Sequence, residues 1–174
     1  MSDSIPSEAS PATSDSIPGA AFREALAHFA SGVTIVAARR STGPIGFTAT
    51  GFTSVSLSPP LILVCVNKTA SAYDGVVGAE LFGVSVLGED QRWIAEQFAR
   101  SGVDRFVGVQ VLAGPAAAVP LIDGALAHLE CRPHARHDAG DHTLLLGHVL
   151  SASVTPLRPL RPLLHFARRF GAIA

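Results

Sequence analysis

Residues 46–66 read GFTATGFTSVSLSPPLILVCV, and the stretch changes character at Pro59-Pro60. Before the prolines, Thr48, Thr50, Thr53, Ser54 and Ser56 alternate with small and aromatic residues. After them, Leu61 to Val66 is apolar throughout. An apolar run this short, rich in branched side chains and bounded by prolines, reads as a buried strand rather than a helix. The hydroxyls before it have two readings. They fit the wet face of an antiparallel strand, or a surface whose hydroxyls and free backbone N–H groups meet a phosphate or the carbonyl-and-nitrogen edge of a heteroaromatic ring.

The same pattern recurs outward along the chain. Val33 to Ala38, Ile45 to Phe52, Leu81 to Leu87, Ala125 to Arg132 and Thr143 to Val154 are short, rich in Val, Ile, Leu and Thr, and separated by Gly, Pro or Asp. Phe22, Ala25, Leu26, Phe29 and Ala30 recur at helical spacing with Gly32 as a stop. Glu89 to Arg100 reads as a second helix, with acids in its first turn and Trp93, Ile94, Gln97 and Phe98 on one face. Strands that do not alternate regularly with helices exclude a doubly wound parallel sheet. The expected fold is mainly β, an antiparallel barrel with peripheral α-helices. Neither G-x-G-x-x-G after a strand nor G-x-x-x-x-G-K-[ST] occurs, so any nucleotide is held in another way.

The chain has 174 residues, enough for one domain with its own core. Residues 1–19, with SDSIP at 2–6 and again at 14–18, are too polar to bury much apolar area and read as a disordered tail; the domain is expected over residues 20–174. A net charge of −1 with 16% charged residues gives no electrostatic support for nucleic acid. The longest apolar run is too short to span a bilayer. Cys65 and Cys131 are far apart, without ligand spacing, and read as free thiols in a reducing cytoplasm.

Three further segments could carry chemistry. Asn67-Lys68-Thr69-Ala70-Ser71 sets a cation, an amide and two hydroxyls on the loop after the Leu61–Val66 strand, suited to a phosphate or to an ordinary polar turn. In the run from His134 to His142, His134, His137 and His142 invite a metal reading. On a strand, however, His134 and His137 face opposite sides, and no standard zinc spacing is present. Gly140-Asp141 has hairpin chemistry, which leaves His142 as a turn residue or as a polar group at a pocket rim. The arginines near the C-terminus, Arg168 among them, fit a solvated end or a lid facing an anionic cofactor tail.

Taken in order, FASGVTIV (29–36), GFTATGFTSVSLSPPLILVCVNKTAS (46–71), FGVSVL (82–87), DRF (104–106), GDHTLLLGHV (140–149) and LLHFARRF (163–170) resemble the flavin reductase family, with the FMN-binding split-barrel fold. Its members include the short reductase components of two-component flavin-dependent monooxygenases. The resemblance implies a homodimer that transfers hydride from NADH or NADPH to FMN or FAD and supplies diffusible reduced flavin to a partner monooxygenase. A flavin-binding electron-transfer protein that does not use nicotinamide is the alternative. Matched by position, Thr48, Ala49, Thr50, Thr53, Ser54, Val55 and Ser56 line the ring and ribityl chain. Asn67, Lys68 and Ser71 take the phosphate, with Arg168 a further phosphate candidate. Phe106 belongs to the pocket wall, and His142 stands beside the nicotinamide as the catalytic residue, positioning rather than transferring a proton. Gly51, His148 and His165 depart from the family pattern, which more often has a small hydroxyl residue, an acid and an aromatic there.

Overall fold

The computed structural model describes residues 17–156 and 161–173. Nearly all of the expected tail, including the first SDSIP, lies outside the described residues, as does Arg158. The chain runs α1 (Gly19–Ala27), β1 (Ser31–Gly32), β2 (Thr34–Arg40), β3 (Gly43–Ala49), β4 (Phe52–Leu57), β5 (Pro60–Asn67), α2 (Tyr73–Val77) and β6 (Phe82–Val86). A 3₁₀ turn at Glu89–Gln91 leads into α3 (Arg92–Phe98). There follow β7 (Val111–Ala113), β8 (Pro120–Ile122), β9 (Ala127–Ala139), β10 (His142–Val154), β11 (Leu164–Phe166) and β12 (Arg169–Gly171).

Seven strands form one sheet in the order β3-β2-β6-β9-β10-β5-β4, every neighbouring pair antiparallel. The sheet curls until its ends approach each other at Thr50-Gly51, where the Cys65 N–H donates to the Gly51 carbonyl at 2.8 Å. That closure makes the barrel. Strand β2 shows why its sequence is apolar without alternation: Val36 and Ala38 point into the barrel cluster with Val64, Phe82 and Leu145. Ile35 and Ala37 point outward to a second cluster with Ile94, Phe98 and Leu163. Both faces are dry, and each large side chain fully removed from water contributes about 1.5–3 kcal/mol.

Four expectations change. Ile45 to Phe52 is not one strand, because the chain crosses between the sheet's ends at Gly51. A Cβ there would come within 2.9 Å of the Cys65 Cβ, so the missing side chain allows the close approach. The first helix ends at Ala27 rather than near Gly32. Its terminal carbonyl accepts from the Ala167 N–H at 2.7 Å, and Ser31-Gly32 is drawn into pairing with β11. Trp93 is half exposed, and the buried face of α3 is Ile94, Ala95 and Phe98. The strand expected over residues 125–132 continues to Ala139 as half of a long hairpin. Pro133, which has no N–H to give, sits where the register shifts opposite Leu146/Gly147.

Cys131 is buried and Cys65 half-buried, and both are free. Burial, with the Glu130 charge beside it, pushes the Cys131 thiol up to about 12. Since the thiolate is the reactive form, native protein treated with a thiol reagent at pH 8 is expected to lose Cys65 slowly and to retain Cys131. Mass mapping after unfolding in the same reagent should show both modified; rapid native labelling of Cys131 would contradict this packing.

Candidate functional site

A cleft of about 420 Å³ opens where the end of β3 meets β5, β10 and the last turn of α3. Strand β5 buries Ile62, Val64 and Val66 in the barrel, which turns Cys65 and Asn67 to the other face. The ladder places His142 directly opposite Asn67, and both line the cleft. Thr48, Ala49 and Thr50 form the facing wall, and Phe47 and Phe98 add apolar surface. Segments far apart in sequence thus converge through strand register.

The hydrogen bonds define what each group has to offer. Asn67 Oδ1 accepts from the Thr69 N–H and hydroxyl, each at 2.7 Å, leaving both amide N–H groups available. The Thr48 hydroxyl donates to the Ala95 carbonyl at 2.6 Å, fastening α3 to β3. Thr48→Val is therefore expected to cost about 1 kcal/mol in urea unfolding; an unchanged midpoint would mean that this hydroxyl is not structural.

His142 starts β10 after a two-residue turn in which Gly140 has φ +65, the conformation that a primed hairpin turn gives to glycine. Its Nδ1 lies 2.7 Å from Asp141 Oδ1, so Nε2 is the ring nitrogen left for a ligand. The His142 hydrogen bond, reinforced by its charge, holds the exposed Asp141 carboxyl below the usual carboxylate range. This contact contributes fully above the ordinary value near 3.9 and fades as pH falls through the lower folded value.

Arg105 joins this cleft to a second one of about 640 Å³, lined also by Gly46, Ser71 and Phe106. Its guanidinium donates to the carbonyls of Arg100 (2.8 Å) and Gly46 (3.0 Å) and to Ser71 Oγ (3.0 Å). Three of five N–H donors are engaged and two remain. Burial lowers the Arg105 pKa, but a guanidinium so anchored stays charged. Phe106 lines the larger cleft and packs edge-on against Phe98, which lines the smaller one, with ring centroids 4.8 Å apart, so the pair separates the two clefts from the outer core cluster.

The other sequence-selected residues lie elsewhere. Thr53, Ser54 and Val55 are exposed and Ser56 half-buried on β4, an edge strand beyond Gly51. Lys68 Nζ donates to Asp138 Oδ2 at 2.7 Å and to the Gly140 carbonyl at 2.6 Å, so it ties down the hairpin that carries His142. Arg168 pairs with Glu24 at 2.6 Å on the β11–β12 turn, against α1. His134 and His137 are exposed on β9, and among the described residues no group of three His, Cys, Asp or Glu side chains could hold a metal. Sequence reading missed Arg105. Its signal was the DRF motif itself, in which only the phenylalanine received a role.

Known proteins resemble this chain over most of its length. Residues 26–174 match the family model described as "Flavin reductase like domain". The chain is 44% identical over 141 residues to the NADH-dependent FAD reductase of Streptomyces globisporus, covering 79% of this chain and 77% of that protein. It is 34% identical to HsaB of Rhodococcus jostii, the reductase subunit of a flavin-dependent monooxygenase, over 87% and 76% of the two chains. The solved NADH:FAD oxidoreductase SgcE6 of S. globisporus C-1027, in complex with NAD and FAD fragments, superimposes with a TM-score of 0.84. The superposition has 41% identity and covers 90% of this chain and 93% of that one. The six quoted segments, the curled antiparallel sheet and a match spanning nearly the whole domain lead to one conclusion: the chain belongs to the flavin reductase family and has its split-barrel fold.

Proposed function

We propose that the protein is an NAD(P)H:flavin oxidoreductase that supplies reduced FMN or FAD to a separate monooxygenase. The observation that carries this reading is the convergence of Thr50, Asn67 and His142 on one cleft whose outlet is Arg105. The residues suit a flavin. Backbone groups of Thr48, Ala49 and Thr50, with the Thr50 hydroxyl, suit the polar ring edge and ribityl chain, and the free Asn67 amide adds donors. Ser71, whose oxygen already accepts from Arg105, keeps its own proton to donate to a phosphate beside the two remaining guanidinium N–H groups. Lys68 serves by fixing the hairpin, and Phe106 by walling the larger cleft beyond Arg105. When bound, flavin supplies the N5 that accepts the hydride from nicotinamide C4. The chain's own work is to stack the two rings at roughly 3–3.5 Å, exclude water through Phe47 and Phe98, and orient the nicotinamide through His142.

The homodimer belongs to the same proposal. Helix α1 buries none of its residues within the chain, leaving Phe22 and Leu26 half exposed, and Val55 and Leu57 stand out from edge strand β4. A second copy laid over β4 would place Thr53, Ser54, Val55 and Ser56 at the seam, where the flavin contacts implied for them fall. No helix among the described residues is long and apolar enough to cross a membrane, and two free thiols suit the cytoplasm.

The test is nicotinamide oxidation followed at its absorbance band, with purified protein and FMN or FAD added from catalytic to stoichiometric amounts under an oxygen-free atmosphere. Oxidation that requires flavin, in molar proportion to it, is expected. A tightly yellow protein that leaves NADH and NADPH untouched would establish the electron-transfer alternative instead.

A further inference from the structure

The site described above uses the smaller cleft and its outlet. The larger cleft beyond Arg105 has no role in ring stacking, yet the two run together along the chain: Gly46 borders Phe47, Ser71 borders Ala70, and Gly102 borders Ser101. At 640 Å³ it is of ordinary size for a small-molecule site in its own right. Two cations meet its space. Arg105 stands at the inner boundary, and Arg40, at the end of β2, lines the outer part.

Arg40 is unusual among the arginines of this region. Arg105 is anchored on three acceptors and Arg39 Nε donates to the Ala118 carbonyl at 3.4 Å, whereas Arg40 makes no hydrogen bond or ion pair among the described residues. Its stem is nevertheless seated. A Cβ built on Gly75 would lie 3.0 Å from Arg40 Cδ and 2.9 Å from Ile45 Cγ2, so the aliphatic part of Arg40 packs over the bare backbone of α2. The result is a supported stem with an uncommitted head. Asp104, the acid lining this cleft, is turned to its own loop, where it accepts the Phe106 N–H at 3.0 Å. Asp74 and Glu80 flank Arg40 on its other side, in the adjoining cleft toward α2, without pairing to it.

We propose that Arg40 is a specificity-determining residue that holds the distal phosphate of a pyrophosphate-bridged flavin, so that the protein prefers FAD to FMN. This rests on the flavin reductase reading. Arg105 and Ser71 meet the phosphate nearest the ribityl chain, which both flavins possess. Arg40 meets the second phosphate, which FAD alone carries, and the remaining volume along Thr42 and Pro44 accommodates the adenosine. A free guanidinium with a pre-seated stem gives a bidentate phosphate contact with little further ordering.

The experiment compares FAD and FMN dissociation constants, by flavin fluorescence at fixed ionic strength, for wild type, Arg40→Ala and Arg40→Lys. Wild type should bind FAD more tightly than FMN. Arg40→Ala should weaken FAD about 10-fold and leave FMN within twofold, as loss of one charged hydrogen-bonding partner predicts, and Arg40→Lys should recover part of the loss. Arg40→Lys keeps the aliphatic stem over Gly75, so the thermal unfolding of that variant should match wild type. Equal weakening of both flavins, or an unaltered FAD-to-FMN ratio in a variant that still reduces flavin with nicotinamide, would overturn the assignment while leaving the reductase reading intact. A wild type that binds neither flavin overturns both.

Discussion

His142→Ala is expected to lower kcat/KM for NADH by about 10–100-fold while flavin dissociation stays within twofold. The reasoning starts from the ring's two nitrogens. Nδ1 lies 2.7 Å from the Asp141 carboxylate, which only accepts, so in the neutral ring the proton sits on Nδ1 and Nε2 offers a lone pair. That lone pair can accept from a nicotinamide carboxamide N–H. Losing it leaves intact the ring and phosphate contacts proposed for Thr50, Asn67 and Arg105, but lets the nicotinamide turn away from reactive alignment. Misplacement by about 1 Å can cost 10²-fold, and 10–100-fold corresponds to about 1.4–2.7 kcal/mol of transition-state stabilisation. Asp141→Asn probes the same link more gently. An amide at position 141 can donate to Nδ1 and favour the other tautomer, which should raise the KM for NADH without changing flavin affinity. Stopped-flow reduction by NADH separates the steps; a His142→Ala enzyme with wild-type nicotinamide affinity and hydride-transfer rate removes the ring from the site.

How much of this was legible in the sequence depended on whether the deciding partner was local. Strand β5 was readable because its prolines and apolar run mark a strand without reference to anything else. Asn67 and His142 were readable as polar residues at strand ends, and their apposition follows once β5 and β10 pair. Lys68 shows the limit. Its local setting, NKTAS, suggests a loop cation facing a phosphate, but Asp138 and the Gly140 carbonyl arrive from a distant hairpin and take the ammonium. Strands β11 and β12 were hidden for a related reason: each has three residues, too few for a periodic signal, and they exist because β1 and the turn at Ala167-Arg168 hold them. Helix α1 shows another limit. Its apolar residues recur at helical spacing, yet none of them is buried among the described residues, so the spacing gives the helix without what covers it.

The apolar residues left open on β4 bear directly on the proposed homodimer: Leu57→Asp should convert that dimer of the 18.0 kDa chain into a monomer and weaken flavin binding at least 10-fold. Leu57 is 94% exposed at the end of β4, and substitutions at such positions in a lone chain usually change stability by no more than about 0.5 kcal/mol. A monomeric protein should therefore ignore the change. If a second copy covers β4, an aspartate there must be desolvated without a partner, at a cost of several kcal/mol, and the substitution occurs twice in a symmetric interface. Flavin binding should fall with dimerisation because the flavin contacts proposed for Thr53–Ser56 lie on the same strand. Sedimentation velocity across a concentration range, paired with flavin titration of the same samples, tests both parts. Leu57→Ala serves as the control, since it removes apolar area without adding charge and should weaken the dimer less. A Leu57→Asp protein that sediments and binds flavin like wild type would overturn the β4 interface.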